Sequence, residues 1–509
     1  MSATEAAVTT EPGAQVPSSS SPFSSSKLST RRVFHWVVLV SLFGVTARPI
    51  LVPDFWWHLR TGQWIVETRS IPHADPFSYT AAGKEWVTHE WLSEALIWGL
   101  YRLAGWGGLI VFFSLVITLA WWLVDRRLKG QPFVAGFALL LGAFSTAPVW
   151  GVQPQMFTLL LASLFLGLLD AYARDGKAKR LGWMPPLMVL WVNLHGGFLV
   201  GPALVLVVAA GLALDELVEG KGWGAALRRA LPLAVAAAAC VAVIPLNPNG
   251  TRLYAYPFET LQSEAMAENL RDWLSPDFHK ASMLPFAALI FATAGALAIS
   301  PRRARVSDVT LLAMTGLLAL RSGRHIPLFA LAATPLLAAH AWDWLRQQSW
   351  GRWLEQPEAP LHAAKRSLNL TVLATVVAAC GLYVGSVIAS QPQAEAEIFP
   401  RRAVQFLKRE KPPAPMYHRY DWGGYLIWNL YPEFRSYIDG RADLYGDQFM
   451  MEYFRTYRGR PRWQETLERF QVQTAMVEPL SAIASLLRQD PRWTKVYEDD
   501  QAVVFVRKQ

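Results

Sequence analysis

Six residues that could do chemistry, three histidines and three of the acids, lie close together between residues 53 and 92 of this 509-residue chain. They are Asp54, Asp75, Glu90, His58, His73 and His89. A carboxylate can take a proton from a hydroxyl as a general base, and further carboxylates and imidazoles can bind a divalent metal or a phosphate group. This segment is therefore the first candidate for a chemical centre.

Asp54 follows directly after an apolar run at 33–52, which places it at a membrane surface. Partial desolvation there raises the pKa of a carboxyl and makes its ionised form a better base. Asp54 and His58 are four residues apart and share a face if a helix begins just before them. The alternative is structural: Asp54 caps that helix, and His89 and Glu90 cap the next one.

A second candidate is the turn Trp191-Val192-Asn193-Leu194-His195-Gly196-Gly197-Phe198, which separates two short apolar runs. Polar groups at membrane depth are costly and usually face a cavity, and paired glycines allow a ligand to approach the backbone closely. His195 is therefore a candidate for substrate binding. A tight turn between two helices, with the histidine hydrogen-bonded inside it, is the alternative.

A third candidate is the short turn that contains Arg321, Arg324 and His325. The planar fork of arginine matches a phosphate group, and a polyprenyl phosphate or pyrophosphate head group is a natural partner at a membrane surface. We therefore predict that these residues bind the phosphate of a donor. An ion pair with an acid of the first loop is the alternative.

In the C-terminal part of the chain, Asp439 follows a strand-like run at 434–438. Ligand sites of α/β folds often lie just beyond the carboxyl ends of strands, so Asp439 is predicted to contact an acceptor substrate. Packing against Arg441 at a turn is the alternative.

The composition indicates a membrane protein that crosses the bilayer many times, since 52% of the residues are hydrophobic, 23 are Trp, and the mean hydropathy is +0.20. Apolar runs lie at 33–52, 107–124, 131–147, 155–172, 182–194, 197–216, 230–246, 283–299, 308–320, 326–344 and 367–389. Some are shorter than the roughly 20 residues of a straight span. Short spans often line a cavity instead of facing lipid.

The basic residues predict the orientation of these spans, because Lys and Arg are enriched in cytoplasmic turns. With the N-terminus in the cytoplasm, every inside segment carries three or four of them: Lys27, Arg31 and Arg32; Arg126, Arg127 and Lys129; Arg174, Lys177, Lys179 and Arg180; Lys221, Arg228 and Arg229; Arg302, Arg303 and Arg305; Arg346, Arg352, Lys365 and Arg366. The net charge of +9 thus reflects topology, and we expect no nucleic-acid partner.

The predicted fold is a mainly α polytopic membrane protein of about eleven transmembrane helices with a C-terminal α/β domain. Residues 1–32 are predicted to be a disordered cytoplasmic tail. Residues 33–390 form the membrane domain, with long outside loops at 53–106 and 247–282, and residues 391–509 form the extracytoplasmic domain. Within it, 434–438, 473–477 and 503–506 predict strands, and 464–470 and 480–487 predict helices.

The candidate residues stand in motifs that resemble those of bacterial membrane glycosyltransferases of the GT-C fold, the group that includes protein mannosyltransferases and aminoarabinose transferases. Over roughly residues 33–509 the resemblance rests on Asp54-x-Trp-Trp-His58-Leu-x-Thr-Gly, Pro72-x-x-Asp75-Pro-Phe-Ser-Tyr, His89-Glu90-Trp-Leu, Asn193-x-His195-Gly, Asn247-Pro-x-Gly250 and Asp439-Gly-Arg441.

The resemblance implies a polyprenyl-phosphate sugar as donor and an acid of the first outside loop as the catalytic centre, a position that Asp54 matches. Many such enzymes have two adjacent acids there, whereas this chain has Asp54-Phe55. A partner acid would have to come from Asp75 or Glu90. A divalent metal such as Mg²⁺ or Mn²⁺ is left open, with Asp54, His89 and Glu90 as its candidate ligands.

We therefore expect a membrane glycosyltransferase that moves a sugar from a polyprenyl-phosphate donor to an extracytoplasmic acceptor at the bacterial cytoplasmic membrane. The predicted catalytic residues are Asp54, Glu90 and Asp75, and the predicted substrate-binding residues are His58, His73, His89, His195, Arg321, Arg324, His325 and Asp439. One alternative is a transporter or flippase of lipid-linked glycans, which predicts paired repeats. The other is a non-catalytic assembly protein, which predicts solvated loop acids.

Overall fold

The computed structural model describes residues 29–349, 351–355 and 362–508. The predicted tail at 1–32 lies outside the described residues as far as residue 28, and the first helix begins at Thr30. In the membrane domain the α-helices are α1 (Thr30–Thr46), α2 (Phe55–Thr68), α3 (Trp91–Asp125), α4 (Pro132–Ser145), α5 (Gln155–Asp175), α6 (Met184–Leu194), α7 (Val200–Val218), α8 (Trp223–Ala242), α9 (Tyr256–Leu261), α10 (Glu264–Asn269), α11 (Leu284–Ile299), α12 (Val306–Arg321), α13 (Ile326–Leu345) and α14 (Ala363–Ile398).

Each of the eleven predicted apolar runs contains a helix, which confirms a polytopic membrane protein. Within the described residues, seven segments are long and apolar enough to cross a membrane, and they contain α3, α5, α7, α8, α11, α13 and α14. The other four runs form the shorter helices α1, α4, α6 and α12, of 17, 14, 11 and 16 residues.

Helix α4 shows how the sequence builds this bundle. Pro132 occupies its first turn, where the missing N–H costs nothing, and the Gln131 side chain accepts hydrogen bonds from two backbone N–H groups of that turn at 2.6 and 3.1 Å. A Cβ at Gly142 would lie 2.0 Å from Oγ1 of Thr334 on α13. Small residues at such positions let membrane helices pack closely.

The first long loop, at 53–106, is itself helical and rests on α3. A Cβ at Gly62 of α2 would lie 2.0 Å from the Glu94 carbonyl oxygen of α3, so a glycine is needed for the two helices to approach this closely. Helix α3 bends at Gly105, whose φ of 58° favours glycine. The helix predicted to follow His89 and Glu90 is therefore the first arm of α3, and it positions the loop residues before it.

The C-terminal part consists of α15 (Arg401–Glu410), α16 (Gly423–Leu430), α17 (Ala442–Tyr445), α18 (Asp447–Tyr457), α19 (Trp463–Arg469), α20 (Ala482–Gln489) and the strands β1 (Met416–His418), β2 (Thr474–Val477), β3 (Trp493–Glu498) and β4 (Val503–Arg507). The sheet order is β1-β2-β4-β3, with β1 parallel to β2 and the other pairs antiparallel. Helix α14 continues to Ile398, past the predicted domain boundary at 390.

The predictions of β2, β4, α19 and α20 are confirmed, but the predicted strand at 434–438 is wrong. This segment makes a single bridge with the first loop instead of joining the sheet: Ser436 N–H donates to the Phe77 carbonyl, and Tyr79 N–H donates to the Ser436 carbonyl, both at 3.0 Å. Strands β1 and β3 were not predicted from the sequence.

The first loop and the C-terminal domain share one buried cluster of side chains. Its members include Trp57, Phe77 and Trp86 from the loop together with Tyr417 and Ile438 from the domain. Burial of large aromatic side chains dominates such interfaces. The domain is therefore packed against the loop that carries the candidate residues.

Candidate active site

Glu90 lies at the centre of a cluster of three imidazoles. Its Oε1 atom is 3.2 Å from His89 Nε2 and 3.7 Å from His195 Nε2, and its Oε2 atom is 3.6 Å from His58 Nε2. Only 11% of the Glu90 side chain is exposed. Burial opposes ionisation of the carboxyl, but the imidazoles overcome this effect and hold the pKa of Glu90 below its ordinary value.

His58 is held between two carboxylates. Its Nδ1 atom is 3.2 Å from Glu94 Oε1, and its Nε2 atom faces Glu90. Gly62, one helical turn later on α2, provides the close approach to α3 that makes both contacts possible. The other Glu94 oxygen, Oε2, is buried and has no hydrogen-bond partner among the described residues.

His195 is neutral, and its contacts define the tautomer. Burial lowers the pKa of His195 to about 4. Its Nδ1 atom accepts a hydrogen bond from Gly197 N–H at 3.0 Å and lies 2.8 Å from Oγ1 of Thr158. An atom that accepts from an N–H carries no proton, so the proton of His195 is on Nε2 and points towards Glu90.

The surroundings of His89 favour its protonated form, the imidazolium. Its Nδ1 lies 3.0 Å from the Val87 carbonyl, and its Nε2 faces Glu90, so both ring nitrogens meet acceptors. Burial lowers the pKa of His89, but the hydrogen bond and charge of Glu90 outweigh it and raise the pKa to about 9. The Asn247 side chain donates to the His89 carbonyl and to the Val192 carbonyl, both at 3.0 Å, and so joins the first loop to the turn at 191–198.

Asp54 stands at the start of α2, one helical turn before His58, and is partly exposed. No capping hydrogen bond from α2 reaches its side chain within the described residues, and the same is true of Glu90 on α3. A Cβ at Gly440 would lie 1.6 Å from Asp54 Oδ1, so the carboxylate touches the backbone of the C-terminal domain. Desolvation raises the pKa of Asp54 to about 6, although the nearby His58 acts the other way.

Arg324 supplies a cation on the same side of the bundle. Its guanidinium stacks on Trp273 at 4.6 Å, and the charges of Asp272 and Glu90 act on it. Within the described residues no carboxylate lies at ion-pair distance from it. The Ser322 hydroxyl donates to the Asp272 carbonyl at 2.9 Å and fixes the turn beside the second loop. A partly buried arginine that has no carboxylate at ion-pair distance can bind an anion.

Asp75 and Asp439 do not join the Glu90 cluster but meet on Arg441. Arg441 Nη1 is 2.7 Å from Asp75 Oδ1, and its Nε and Nη2 are 2.7 and 2.8 Å from the two oxygens of Asp439. All three side chains are buried. These contacts are those of a structural clamp, so the predicted catalytic role of Asp75 and substrate role of Asp439 stay predictions that the geometry does not favour.

Three other predicted residues are placed at the edges of the site or away from it. His73 and Arg321 are exposed. His325 is half-buried, and its Nδ1 atom is buried without a hydrogen-bond partner among the described residues. The substrate-binding roles of these three residues stay predictions.

The predicted metal ligands Asp54, His89 and Glu90 do not form a metal-binding group. No set of three or more His, Cys, Asp or Glu in the described part of the chain is arranged to hold a metal ion. Glu90 and His89 are paired with each other, while Asp54 contacts Gly440. The predicted divalent metal therefore stays a prediction, which these contacts do not favour.

Sequence reasoning missed Glu94, Gly440 and Thr158. Glu94 could have been found, because it is four residues after Glu90 on a predicted helix and so shares its face. Gly440 and Thr158 could not have been found, because each acts through a contact with a residue distant in sequence, Asp54 and His195 respectively.

The chain is similar in fold to solved membrane glycosyltransferases. Archaeal oligosaccharyltransferase AglB from Archaeoglobus fulgidus, in complex with an inhibitory peptide and a dolichol-phosphate, aligns with a TM-score of 0.54 and 12% identity over 94% of this chain and 74% of that one. The oligosaccharyltransferase of the same organism, tethered with an acceptor peptide, aligns with a TM-score of 0.55 and 12% identity, over 95% of this chain and 75% of that one. ArnT from Cupriavidus metallidurans in the apo state aligns with a TM-score of 0.50 and 16% identity, over 92% of this chain and 97% of that one.

No protein-family model and no curated protein sequence matches the chain. The structural likenesses therefore define the class: this is a polytopic membrane protein with the GT-C fold, as its motifs predicted. Its C-terminal domain rests on the loop of the membrane domain that carries the candidate site.

Proposed function

We propose that the chain is a membrane glycosyltransferase that transfers a sugar from a polyprenyl-phosphate-linked donor to an acceptor hydroxyl. The observation that carries this proposal is Asp54, a partly exposed residue at the start of α2 whose desolvated carboxyl has a pKa raised to about 6. At neutral pH most of it is ionised, and it is a stronger base than an ordinary aspartate.

The chemistry is a single displacement at C1 of the sugar. Asp54 takes the proton of the acceptor hydroxyl while that oxygen forms a bond to C1. The bond between C1 and the phosphate oxygen breaks, and its electron pair leaves with the polyprenyl phosphate. Arg324 and the His89 imidazolium are the cations that stabilise the negative charge developing there. Attack opposite the leaving group inverts the configuration at C1.

Two further observations support this proposal. AglB is described in complex with a dolichol-phosphate, which is a polyprenyl phosphate, and it shares the fold of this chain. In addition, Glu90 is buried beside three imidazoles, whereas the assembly-protein alternative predicts solvated loop acids. Burial of unneeded ionisable groups is costly, so a functional reason for them is favoured.

The orientation is part of the proposal. The basic turns of the sequence lie at the ends of the spans opposite to the candidate site, and Lys and Arg are enriched on the cytoplasmic side. We place the site, both long loops and the C-terminal domain outside the bacterial cytoplasmic membrane. Cysteine labelling with a membrane-impermeant reagent at exposed His73 in intact cells tests this placement.

Replacement of Asp54 by Asn tests the function. We expect Asp54→Asn to abolish transfer to a surface glycan or glycolipid while the protein is still made and inserted. Glu67→Gln is the matched control, because Glu67 is an exposed carboxylate on the same helix. If Asp54→Asn transfers like the wild type, Asp54 is not the base. If deletion of the chain stops the movement of lipid-linked glycan between leaflets but changes no sugar linkage, the flippase alternative replaces this proposal.

A further inference from the structure

We propose that Arg441 is a positioning residue of this site: through Asp439 and Gly440 it holds the backbone of the C-terminal domain against the carboxylate of Asp54. The inference rests on the proposed function and assigns the C-terminal domain a part in it. The domain would complete the active site instead of serving only as a separate acceptor-binding module.

The contact between the domain and Asp54 is made by glycines. A Cβ at Gly440 would lie 1.6 Å from Asp54 Oδ1 and 3.0 Å from Trp57 Nε1. A Cβ at Gly424 would lie 2.7 Å from the Pro53 carbonyl oxygen. Two backbone segments of the domain thus approach the start of α2 closely, and a side chain at either place would displace the atoms that it meets.

Arg441 fixes the segment that contains Gly440. Its Nε and Nη2 bind both oxygens of Asp439, and its Nη1 binds Asp75 of the first loop at 2.7 Å. Tyr445 donates its hydroxyl to Asp439 Oδ2 at 2.6 Å. One guanidinium therefore joins the residue immediately before Gly440 to the loop that begins at Asp54. Bidentate pairs of this kind define geometry as well as energy.

The shape of the pocket around Arg441 requires a planar group. The guanidinium lies 4.6 Å from the ring of Trp86 and 5.3 Å from the ring of Phe77. A lysine would carry the charge but could not fill this space with a flat fork or reach both acids. Arg441 is 1% exposed, so these contacts do not compete with water.

Arg441 cannot be a phosphate-binding residue of the reaction itself. Its Nε, Nη1 and Nη2 atoms all donate to Asp75 or Asp439, and the side chain is sealed from solvent. Its effect on the reaction passes through Asp439, whose negative charge also acts on Asp54, and through the position of Gly440. It is therefore a positioning residue, not a catalytic one.

Steady-state kinetics of the full-length protein test the inference, with a polyprenyl-phosphate sugar as donor. Gly440→Ala and Arg441→Lys should each lower kcat by roughly 100-fold, the loss expected when a reacting group moves by about 1 Å. KM for the donor should change little, and the pH midpoint that Asp54 governs should move. Arg492→Gln is the control, since Arg492 forms an exposed ion pair with Asp490 in the same domain.

Hydrogen–deuterium exchange supplies a measurement that does not depend on activity. In Arg441→Lys we expect faster exchange at the two amides that join the first loop to the domain, those of Tyr79 and Ser436. Arg492→Gln should leave both amides protected.

The outcomes separate the two proposals. A wild-type protein that transfers no sugar defeats the proposed function and the catalytic part of this inference with it. An active wild type whose Arg441→Lys and Gly440→Ala variants keep its kcat and pH profile overturns this inference alone. A fall in kcat with an unmoved pH profile and unchanged exchange also overturns it, because Asp54 would then be undisturbed.

Discussion

The Glu90 carboxylate accepts a hydrogen bond from the backbone N–H of Gly196 at 3.2 Å, although 106 residues separate them in sequence. This contact brings the first loop and the turn at 191–198 into one site. It also places His195 beside Glu90, with its Nε2 proton directed at the carboxylate. The acidic loop and the histidine turn are therefore parts of a single buried network.

Gly196 should be intolerant of even a methyl group. A Cβ there would lie 2.7 Å from His89 Nε2, on the atom that faces Glu90. We expect Gly196→Ala to lower kcat by about 10- to 100-fold through displacement of these side chains, with the protein still inserted. Gly99→Ala is the control, because a Cβ at that helical position meets nothing within 4 Å. Equal rates for the two variants would argue against the network.

The transfer rate should depend on the ionisation of Asp54. With its pKa raised to about 6, the basic form is lost as the pH falls, so kcat/KM should drop about tenfold per unit below pH 6 and level off above it. A midpoint near 4 would show that Asp54 is not desolvated in the working enzyme.

The same raised pKa makes a prediction about stability. A folded-state pKa above the unfolded value means that the folded protein gains from protonated Asp54, and this gain is lost as the pH rises through about 4 to 6. At neutral pH the ionised carboxylate of Asp54 destabilises the folded state. Asp54→Asn should therefore raise the free energy of unfolding in detergent at pH 7 by on the order of 1 to 2 kcal/mol, while it abolishes activity.

His89 should stabilise the protein in the opposite pH range. Its pKa is raised from 6.5 to about 9, so its contribution is fully present below about pH 6.5 and is lost as the pH rises through 9. His89→Gln should lower the free energy of unfolding at pH 7 by on the order of 2 kcal/mol, and the difference from wild type should vanish by about pH 10. His73→Gln, at an exposed position of the same loop, should show no such difference.

Arg324 should act on donor binding. Hydrogen bonds to a charged group contribute about 1.5 to 3 kcal/mol, so we expect Arg324→Gln to raise KM for the donor by roughly 10- to 100-fold. Arg324→Lys should restore only part of the loss, since a lysine lacks the planar fork. The measurement is KM for donor and acceptor separately, with exposed Lys280→Gln as the control. An increase confined to the acceptor KM would move Arg324 to the other substrate.

The sequence predicted the membrane bundle and most of the Glu90 cluster for physical reasons. Apolar length identifies the spans, and polar residues between short spans point to a common cavity, which brought His58, His89, Glu90 and His195 together. The segment at 434–438 was misread, because its backbone forms a bridge between Ser436 and Ser78 of the first loop instead of pairing with a strand. The link from Arg441 to Asp75 was missed, because it joins positions 366 apart and no periodicity encodes such a contact.

The sequence and the structure disagree about Asp75. The sequence favours a catalytic role for it, whereas its contacts favour a structural role. Its carboxylate is buried, accepts from Phe77 N–H and Ser78 N–H at 3.0 Å, and pairs with Arg441. Removing one partner of a buried ion pair costs about 3 to 5 kcal/mol. Asp75→Asn should therefore lower the unfolding midpoint in detergent markedly, and the folded fraction should keep a pH profile governed by Asp54. A stable but inactive Asp75→Asn protein would instead make Asp75 the second acid of the reaction.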